Sequence, residues 1–204
     1  MTIDREKAIE QLSQIRVRGN AEGLIPAFGV LVNQFPTEFW NSFSLKILKE
    51  AGEALHDDAA GLLENAAGEC GYHTGWGIIN SDEFKSIVGP MVDPNTPFED
   101  TLRGAYAVFT AWGWAKAEIV EIEPGEKMVV RAYDYYEADV SKSNAQSPEA
   151  KKPFAFMIKG VSRAFMDIAY GDQPYPNGHG KFKCEQTKGI ELGDPYGEFV
   201  VTKA

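Results

Sequence analysis

Cysteine is scarce in this chain, which has only Cys70 and Cys184 among its 204 residues. Two cysteines cannot build the disulfide framework of a small secreted domain, so we expect both to be small buried thiols in a reducing compartment. No apolar run approaches the roughly 20 residues that a membrane-spanning helix needs. The N-terminal segment carries alternating charges and no apolar secretion signal. These absences predict a cytoplasmic protein.

Positive charge is also in short supply, since 20 Lys and Arg residues stand against 30 Asp and Glu residues and give a formal net charge of -10. Nucleic-acid binding depends on clustered Lys and Arg side chains that neutralise phosphates, and the basic residues here are scattered. The same acidity disfavours the anionic surface of a membrane. The sequence therefore predicts neither nucleic acid nor a membrane as a partner.

Several common signatures of catalysis are absent, because the chain contains no P-loop, no dinucleotide-binding fingerprint and no serine-centred elbow. Its composition, 44% hydrophobic and 25% charged, is that of a folded globular protein, and its 204 residues suit a single domain. We predict an α+β fold in which an antiparallel sheet of about four to five strands packs against helices. Residues 1–100 are expected to be mainly helical.

Apolar residues recur at helical spacing in several segments that start and stop signals flank. The spacing predicts helices over residues 1–18, 36–66 (as one long helix or two stacked ones), 80–88, 97–112 and 154–170. The four glycines in residues 68–77 favour an interruption by bending or close approach, because each glycine lowers helix stability by about 1 kcal/mol relative to alanine. Gly171 is expected to end the last helix in a left-handed conformation.

The clearest strand pattern lies in residues 115–122 and 127–136, which Glu123-Pro124-Gly125-Glu126 separates. Proline at the second position of this turn and glycine at the third meet the requirement of a type II turn. Two more strands are predicted over residues 181–187 and 198–202, and an exposed loop over residues 139–152.

The predicted turn also sets the pairing of the two strands that it joins. It places Glu118 opposite Arg131 across the ladder. Side chains alternate between the two faces of a strand, so Asp134 is expected on one face and Tyr133 and Tyr135 on the other.

The second half of the chain combines an apolar helix (PFAFMIKGVSRAFMDIAYG), a strand (FKCEQTK) and a turn-rich closing segment (GIELGDPYGEFVV). Upstream, the glycine-rich start Trp112-Gly113-Trp114 leads through two strands to the aromatic-Glu-Ala motif Tyr136-Glu137-Ala138. This order resembles the 4-vinyl reductase or hydrocarbon-binding domain family over residues 102–201. The resemblance implies an α+β fold, often a homodimer, with a cavity between helices and sheet for small apolar or aromatic molecules.

Many members of that family hold a zinc ion through three cysteines and a glutamate. The resemblance places the corresponding positions at Ala155, Gln186, Gly189 and Gly197, and none of these residues is a competent zinc ligand. We therefore expect no metal ion and no other cofactor. Packing must then hold the closing strands together, around Phe182, Phe199 and Val201.

Aromatic side chains are abundant around the predicted sheet. Such rings fill a core by default, but a cluster this rich also lines pockets for aromatic ligands. Arg131 joins the set because a guanidinium can pair with a ligand carboxylate, although Glu118 is an alternative partner across the strands. The candidate ligand-binding residues are Trp76, Trp112, Trp114, Arg131, Tyr133, Tyr136, Phe156 and Phe165.

Two pairs of residues are candidates for catalysis, although a structural role is the simpler interpretation of each. Cys70 and His73 lie three residues apart, so on a helix they share a face and the imidazole could lower the pKa of the thiol and make it a nucleophile. Asp134 and Glu137 flank the predicted tyrosines, and either could act as a base if burial desolvated it.

Three hypotheses follow from these patterns. The first is a cytoplasmic protein that binds a small hydrophobic or aromatic molecule in a cavity between the helix at residues 154–170 and the sheet, with a homodimer as the expected assembly. The alternative is a small-molecule hydrolase or isomerase that uses Cys70 with His73, or Asp134 with Glu137, in the same cavity. The third is an interaction subunit, since a related fold occurs in vesicle-trafficking complexes.

Overall fold

The chain forms an α+β domain, which a computed structural model describes for residues 3–140 and 152–204. Its helices are α1 (Arg5–Ser13), α2 (Thr37–Ala51), α3 (His56–Asn80), α4 (Asp82–Ile87), α5 (Pro97–Ala111) and α6 (Phe156–Tyr170). Its strands are β1 (Pro26–Ala27), β2 (Val30–Leu31), β3 (Ala115–Glu123), β4 (Lys127–Tyr135), β5 (Phe182–Lys188) and β6 (Gly197–Lys203). Short 3-10 turns lie at Glu53–Leu55, Gly89–Met91, Tyr136–Asp139 and Ile190–Leu192. The predicted fold class is confirmed.

The four-stranded sheet has the order β3-β4-β6-β5 and is antiparallel throughout. α5 packs on β3 while α6 packs on β5 and β6, so one apolar core joins both helices to the sheet. The predicted type II turn is confirmed by a φ of 70° at Gly125 and by a 3.0 Å hydrogen bond from the Glu126 N–H to the Glu123 carbonyl. The pairing of Glu118 with Arg131 is confirmed as well.

A bulge in β4 changes which side chains face the core. β3 pairs with Asp134 at one position and with Ala132 at the next, so Tyr133 is an extra residue in the ladder. The extra residue shifts the alternation by one position. Tyr135 is therefore buried, whereas Tyr133 and Asp134 are both exposed. The prediction that Tyr133 and Tyr135 share a face opposite Asp134 is wrong for this reason.

α3 is a continuous helix of 25 residues that passes through all four glycines. The predicted bending is wrong, whereas the alternative of close approach is confirmed. Gly68, Gly71 and Gly75 face α6, and Gly77 faces Val30 of β2. A Cβ atom at Gly75 would lie 2.7 Å from the Phe165 ring. From the other side, a Cβ atom at Gly160 of α6 would lie 2.5 Å from the backbone nitrogen of Gly68. The two helices therefore meet at backbone distance, and their packing offsets the low helix propensity of glycine.

Smaller differences from the sequence predictions occur at the ends of elements. α1 ends at Ser13 rather than at residue 18, and a short hairpin, β1–β2, lies between α1 and α2. Gly171 has an extended conformation (φ -61°, ψ 151°) instead of a left-handed one. A Cβ atom at Gly171 would strike the Asp167 carbonyl oxygen and would lie 2.8 Å from the Gly178 carbonyl oxygen. Close approach of both the end of α6 and the following loop therefore explains this glycine. Most of the loop predicted over residues 139–152 lies outside the described residues.

Two further features concern the chain as a whole. Neither described stretch, 3–140 or 152–204, holds a helix with the length and apolar character needed to cross a bilayer. The closing strands are held by packing as predicted, since Phe182, Phe199 and Val201 are at most 1% exposed.

The close contact between α3 and α6 predicts that a single methyl group added at Gly160 will lower the stability of the fold. We expect Gly160→Ala to lower the free energy of unfolding by about 1–3 kcal/mol, because the new methyl would press on the α3 backbone. Urea unfolding followed by circular dichroism measures the change. Gly61→Ala is the matched control, since nothing lies within 4 Å of a Cβ atom there. Its better helix propensity should raise stability by about 0.5–1 kcal/mol, and similar values for both variants would contradict the contact.

Candidate functional site

An apolar cavity lies between α3, α5 and α6. Its empty volume is about 530 Å³, a figure that includes space open to solvent. Its lining residues are Val32, Cys70, Gly71, Thr74, Gly75, Ile78, Ala105, Val108, Phe109, Trp112, Trp114, Met157, Val161 and Phe165. None of these residues is charged, so the cavity suits a neutral molecule.

The cavity is displaced from the predicted place between α6 and the sheet. A smaller void of about 200 Å³ lies in that region, between α5, α6 and β3. The rest of the space is filled by core side chains, among which Met166 and Phe199 are fully buried. The larger cavity lies instead among the helices, on the α3 side of α6.

The end of α5 presents two tryptophans to the cavity. The helix ends at Ala111, and Gly113 then adopts a φ of 74°, a left-handed conformation that glycine permits without strain. The Trp114 N–H donates a 3.0 Å hydrogen bond to the Phe109 carbonyl and closes the turn. This reversal allows both Trp112 and Trp114 to reach the lining.

Trp112 is supported from behind by the β1–β2 hairpin. Phe28, at the turn of the hairpin, is fully buried, and its ring meets Trp112 edge to face with centroids 4.8 Å apart. Phe28 has a φ of 51°, which is uncommon for a residue other than glycine, so the ring contact offsets a conformational cost. The Nε1 atom of Trp112 is buried without a hydrogen-bond partner within residues 3–140 and 152–204. A lining residue thus carries an unpaired donor.

The structure brings Trp112, Trp114 and Phe165 together in the cavity lining, as the ligand-binding prediction requires. Trp76 lies elsewhere. Its ring stacks on Tyr175 with centroids 4.7 Å apart, on the loop that follows α6. Helix α3 therefore directs Trp76 and the cavity residues to different neighbours.

The remaining predicted ligand-binding residues also lie away from the cavity. Phe156 is buried in a cluster with α2, and Tyr136 lies in the turn after β4, where burial raises its pKa. Arg131 forms an ion pair with Glu198 of the neighbouring strand at 2.9 Å, and Tyr133 is 44% exposed. Arg131 was predicted at the site because a guanidinium can pair with a ligand carboxylate, and Tyr133 because aromatic rings line ligand pockets. Strand-to-strand contacts use them instead.

Cys70 and His73 have different neighbours despite their spacing. Cys70 lines the cavity, and its Sγ lies 3.7 Å from the Thr74 hydroxyl oxygen. His73 Nδ1 lies 3.0 Å from the Tyr175 hydroxyl. The structure therefore does not pair the imidazole with the thiol. Cys70 is also exposed, contrary to the prediction, whereas Cys184 is buried as predicted and its burial raises the thiol pKa.

Glu137 and Asp134 are likewise in different surroundings. Asp134 is exposed, whereas Glu137 is only 3% exposed. The Glu137 carboxylate accepts hydrogen bonds from the N–H groups of Met157, at 2.9 Å, and Ile158, at 3.4 Å. These groups belong to the first turn of α6, where backbone donors lack partners within the helix. Burial raises the pKa of Glu137 to about 8, against the effect of these bonds. Glu137 thus anchors α6, and Asp134 does not join it.

The positions that the resemblance assigns to zinc lie around a buried carboxylate, Glu191. Its Oε1 accepts hydrogen bonds from Gln186 Nε2 at 2.6 Å and from the Phe154 N–H at 3.1 Å, and its Oε2 accepts one from the Tyr135 hydroxyl. The Ala155 N–H donates to Gln186 Oε1 at 3.4 Å. These residues do not fit a zinc ion, because they offer one carboxylate that is already surrounded by donors. Within the described parts of the chain, no group of three or more His, Cys, Asp and Glu residues is arranged as a metal site.

Two glycines leave room for this hydrogen-bond network. A Cβ atom at Gly189 would lie 2.5 Å from Gln186 Nε2, and one at Gly197 would lie 2.8 Å from the Tyr135 ring. Side chains at these positions would therefore displace the network.

Most of the cavity lining was missed by the sequence prediction. On α3, Cys70, Thr74 and Ile78 recur every four residues and line the cavity together. This spacing indicates a single face of a helix. The signal was present in the sequence, but the expectation of a helix broken at the glycines concealed it.

Comparisons with known proteins show a shared fold. No protein-family model and no curated protein sequence matches the chain. The phenol-responsive sensory domain of the transcription activator PoxR, solved with phenol, has a TM-score of 0.65 and 14% identity over 100% of this chain and 92% of that chain. A trafficking protein particle complex subunit 3 from Naegleria fowleri, covalently bound to palmitic acid, has a TM-score of 0.54 and 19% identity over 82% of this chain and 92% of that chain. Neither similarity shows the 4-vinyl reductase family itself.

The raised pKa of Glu137 predicts that this residue makes the free energy of unfolding decrease as the pH rises. Glu137 binds its proton more tightly in the folded protein, where its pKa is about 8, than at its ordinary value of 4.5. Its contribution is therefore complete below the ordinary pKa and is lost as the pH rises through the folded one. We expect Glu137→Gln to reduce the loss of unfolding free energy between about pH 5 and pH 8, measured by urea unfolding at each pH.

Glu185→Gln is the matched control for this experiment, because Glu185 is exposed on β5. It should keep the wild-type dependence on pH. Parallel curves for the wild-type protein and Glu137→Gln would show that Glu137 does not cause the effect.

Proposed function

We propose that this chain is a cytoplasmic protein that binds a small, neutral aromatic molecule in the cavity between α3, α5 and α6. The observation that carries the proposal is the uncharged lining with its aromatic walls. The proposal adds that the buried, unpaired Nε1 of Trp112 donates a hydrogen bond to the ligand. Ligand sites are commonly apolar with a few polar groups that fix orientation. We include a second copy of the chain as a partner, as the sequence resemblance implies.

The walls of the cavity favour a planar ring over a charged or elongated ligand. Phe109 contacts both Trp114 and Phe165, with centroids 5.2 Å and 5.5 Å apart, so the rings form a continuous aromatic surface. Gly71 and Gly75 line the α3 side without side chains. A carboxylate buried here would lack a cationic partner, at a cost of several kcal/mol. A phenol-like ligand, with one ring and one oxygen, fits these features.

The solved structures with a similar fold support small-molecule binding. One of them was solved with phenol, and the other is covalently bound to palmitic acid. Both ligands are largely apolar, but they differ in shape. The aromatic lining and the unpaired donor of this chain favour the compact ring.

Binding without turnover is favoured over hydrolysis or isomerisation. The Cys70 thiol lies beside Thr74 rather than beside His73, and the Glu137 carboxylate already accepts backbone hydrogen bonds from α6. A catalytic base must come within hydrogen-bond reach of the proton that it removes. The enzyme alternative would therefore need different groups from the two candidate pairs.

The unpaired indole donor predicts a specific loss of affinity. We expect the protein to bind phenol and Trp112→Phe to bind it about 5–30-fold more weakly, because the ring remains but a buried hydrogen bond of about 1–2 kcal/mol is lost. Isothermal titration calorimetry measures both dissociation constants. Trp76→Phe is the matched control, since Trp76 stacks on Tyr175 away from the cavity, and it should bind phenol as the wild-type protein does.

Benzene and benzoate complete this experiment. Benzene has the ring without the oxygen acceptor, so it should bind the wild-type protein and Trp112→Phe equally well. Benzoate should bind far more weakly than phenol because its carboxylate would be buried without a partner. Failure of the wild-type protein to bind both phenol and benzene would overturn the proposed ligand class.

A bound ligand should also protect Cys70 from modification. Cys70 is exposed and lines the cavity, whereas Cys184 is buried. A thiol reagent should therefore modify Cys70 first, and saturating phenol should slow the reaction several-fold, as peptide mass spectrometry can measure. Modification of Cys184 in denaturant is the control for reagent activity. An unchanged rate at Cys70 in the presence of bound phenol would place the ligand outside this cavity.

A further inference from the structure

A second space, the inner void, lies next to the cavity between α5, α6 and β3. Its empty volume is about 200 Å³, and Phe109 and Val161 line both this void and the cavity. The two spaces therefore adjoin at these two residues. Small side chains leave the room, because Ala115 and Ala117 line the void from β3 and Ser162 lines it from α6.

Two buried hydroxyl groups, the hydroxyl pair of Tyr106 and Ser162, meet at the inner void. Both residues line it, and they are only 2% and 1% exposed. Their oxygens lie 2.7 Å apart, so one hydroxyl donates a hydrogen bond to the other. Each hydroxyl carries one hydrogen, and the mutual bond uses only one of the two. Neither hydroxyl has another partner within residues 3–140 and 152–204, so one O–H hydrogen is left without an acceptor.

The helices do not need this hydroxyl pair in order to pack. Replacing both partners of a buried hydrogen bond by apolar groups of the same shape can be nearly neutral or even stabilising, whereas a buried donor without an acceptor costs stability. A polar group that enters the void would accept the free hydrogen. Because none of the described lining residues is charged, that group should be neutral. Burial raises the pKa of Tyr106, which keeps its hydroxyl protonated.

The hydroxyl pair lies directly behind the aromatic wall of the cavity. The Tyr106 ring contacts Phe109 and Phe165, with centroids 5.7 Å and 5.5 Å apart, and both of those rings line the cavity. Trp112, the proposed donor to the ligand, lies beyond the end of α5, where it packs against Phe28 of the β1–β2 hairpin. A ligand held by both polar groups would therefore carry its two oxygens on different sides of its ring.

We propose that the inner void is a second compartment of the ligand site, in which the hydroxyl pair binds a hydroxyl group that the ligand ring carries on a short arm. The arm passes between Phe109 and Val161, where the two spaces adjoin. A hydroxyl suits the pair because it can both accept the free hydrogen and donate to a lone pair. The inferred ligand class is a phenol whose para substituent ends in a hydroxyl group. This inference rests on the proposed function and narrows the ligand of the same site.

Nuclear magnetic resonance of protein labelled at its alanine methyl groups locates the arm of a bound ligand. The ring protons of para-hydroxybenzyl alcohol should show nuclear Overhauser effects to Ala105, which lines the cavity, and its methylene protons to Ala117, which lines the inner void. Methylene contacts with Ala105 alone would overturn the second compartment and leave the proposed function intact. A ligand that contacts neither alanine would overturn both.

Three matched pairs of ligands test the hydrogen bond itself. Hydroquinone, para-hydroxybenzyl alcohol and tyrosol end in a hydroxyl group at increasing distance from the ring, whereas para-cresol, para-ethylphenol and para-propylphenol have nearly the same shapes without it. Isothermal titration calorimetry gives the ratio of dissociation constants for each pair. For at least one pair, the preference for the hydroxyl-bearing ligand should be about 5–15-fold smaller in Tyr106→Phe/Ser162→Ala than in the wild-type protein, because both hydroxyls are lost and the void nearly keeps its shape.

Tyr72→Phe is the matched control for this experiment. Its hydroxyl is buried and accepts a hydrogen bond from the Gly178 N–H, away from both spaces, so this variant should keep the wild-type ratios. The apolar ligands should bind the double variant as tightly as the wild-type protein, which shows that the site is still folded. Ratios that stay unchanged in the double variant for all three pairs would mean that the hydroxyl pair binds no ligand group, and so would overturn the inference.

Discussion

The backbone contact between α3 and α6 is the constraint on which the rest of the domain depends. α6 packs on the sheet, and Gly68 and Gly160 let α3 lie directly against it as a second helical layer. The space beside this contact, towards α5, is the cavity. Gly71 and Gly75 contribute to both the helix contact and the cavity. A Cβ atom at either position would strike α6, and each glycine lines the cavity. The same small residues therefore hold the helices together and leave room for a ligand.

Buried carboxylates hold the start of α6, close to the positions that correspond to zinc ligands in many members of the resembled family. Glu137 accepts hydrogen bonds from the first turn of the helix, and Glu191 accepts one from Phe154 just before it. Burying a carboxylate is costly unless hydrogen bonds compensate, and here backbone donors and the Tyr135 hydroxyl supply them. Met157, whose N–H bonds to Glu137, lines the cavity. This arrangement therefore fixes one wall of the candidate site as well as the end of a helix.

Local patterns in the sequence predicted the parts of the fold that depend on neighbouring residues. Pro124 and Gly125 determine their turn through their own backbone preferences, and the register followed from it. The bulge at Tyr133 depends on how β3 pairs with β4, so alternation along β4 alone could not reveal it. The α3 glycines could not be interpreted from local sequence for the same reason. Helix propensity describes how glycine destabilises its own helix, whereas the stabilising contacts at these glycines come from Val161 and Phe165, which are distant in sequence.

The candidate site was predicted in part for a related reason. The abundance of aromatic residues identified Trp112, Trp114 and Phe165, because large rings line cores or ligand pockets wherever they occur. The small residues of the lining carry no such signal, because an alanine or glycine becomes part of a cavity only through what surrounds it. Arg131 was assigned to the site by its chemistry, but the carboxylate of Glu198 on the next strand is the partner that the fold provides.

The unpaired indole of Trp112 connects stability with recognition. A buried donor without an acceptor costs the folded protein about 1–3 kcal/mol, and the left-handed conformation of Phe28, whose ring packs against that indole, adds to the cost. In the proposed complex, a ligand oxygen that accepts a hydrogen bond from this donor would offset that cost. Two ligands of the same shape would gain equally from the apolar walls, so under the proposed function the donor is the feature that would distinguish a phenol from a plain hydrocarbon ring.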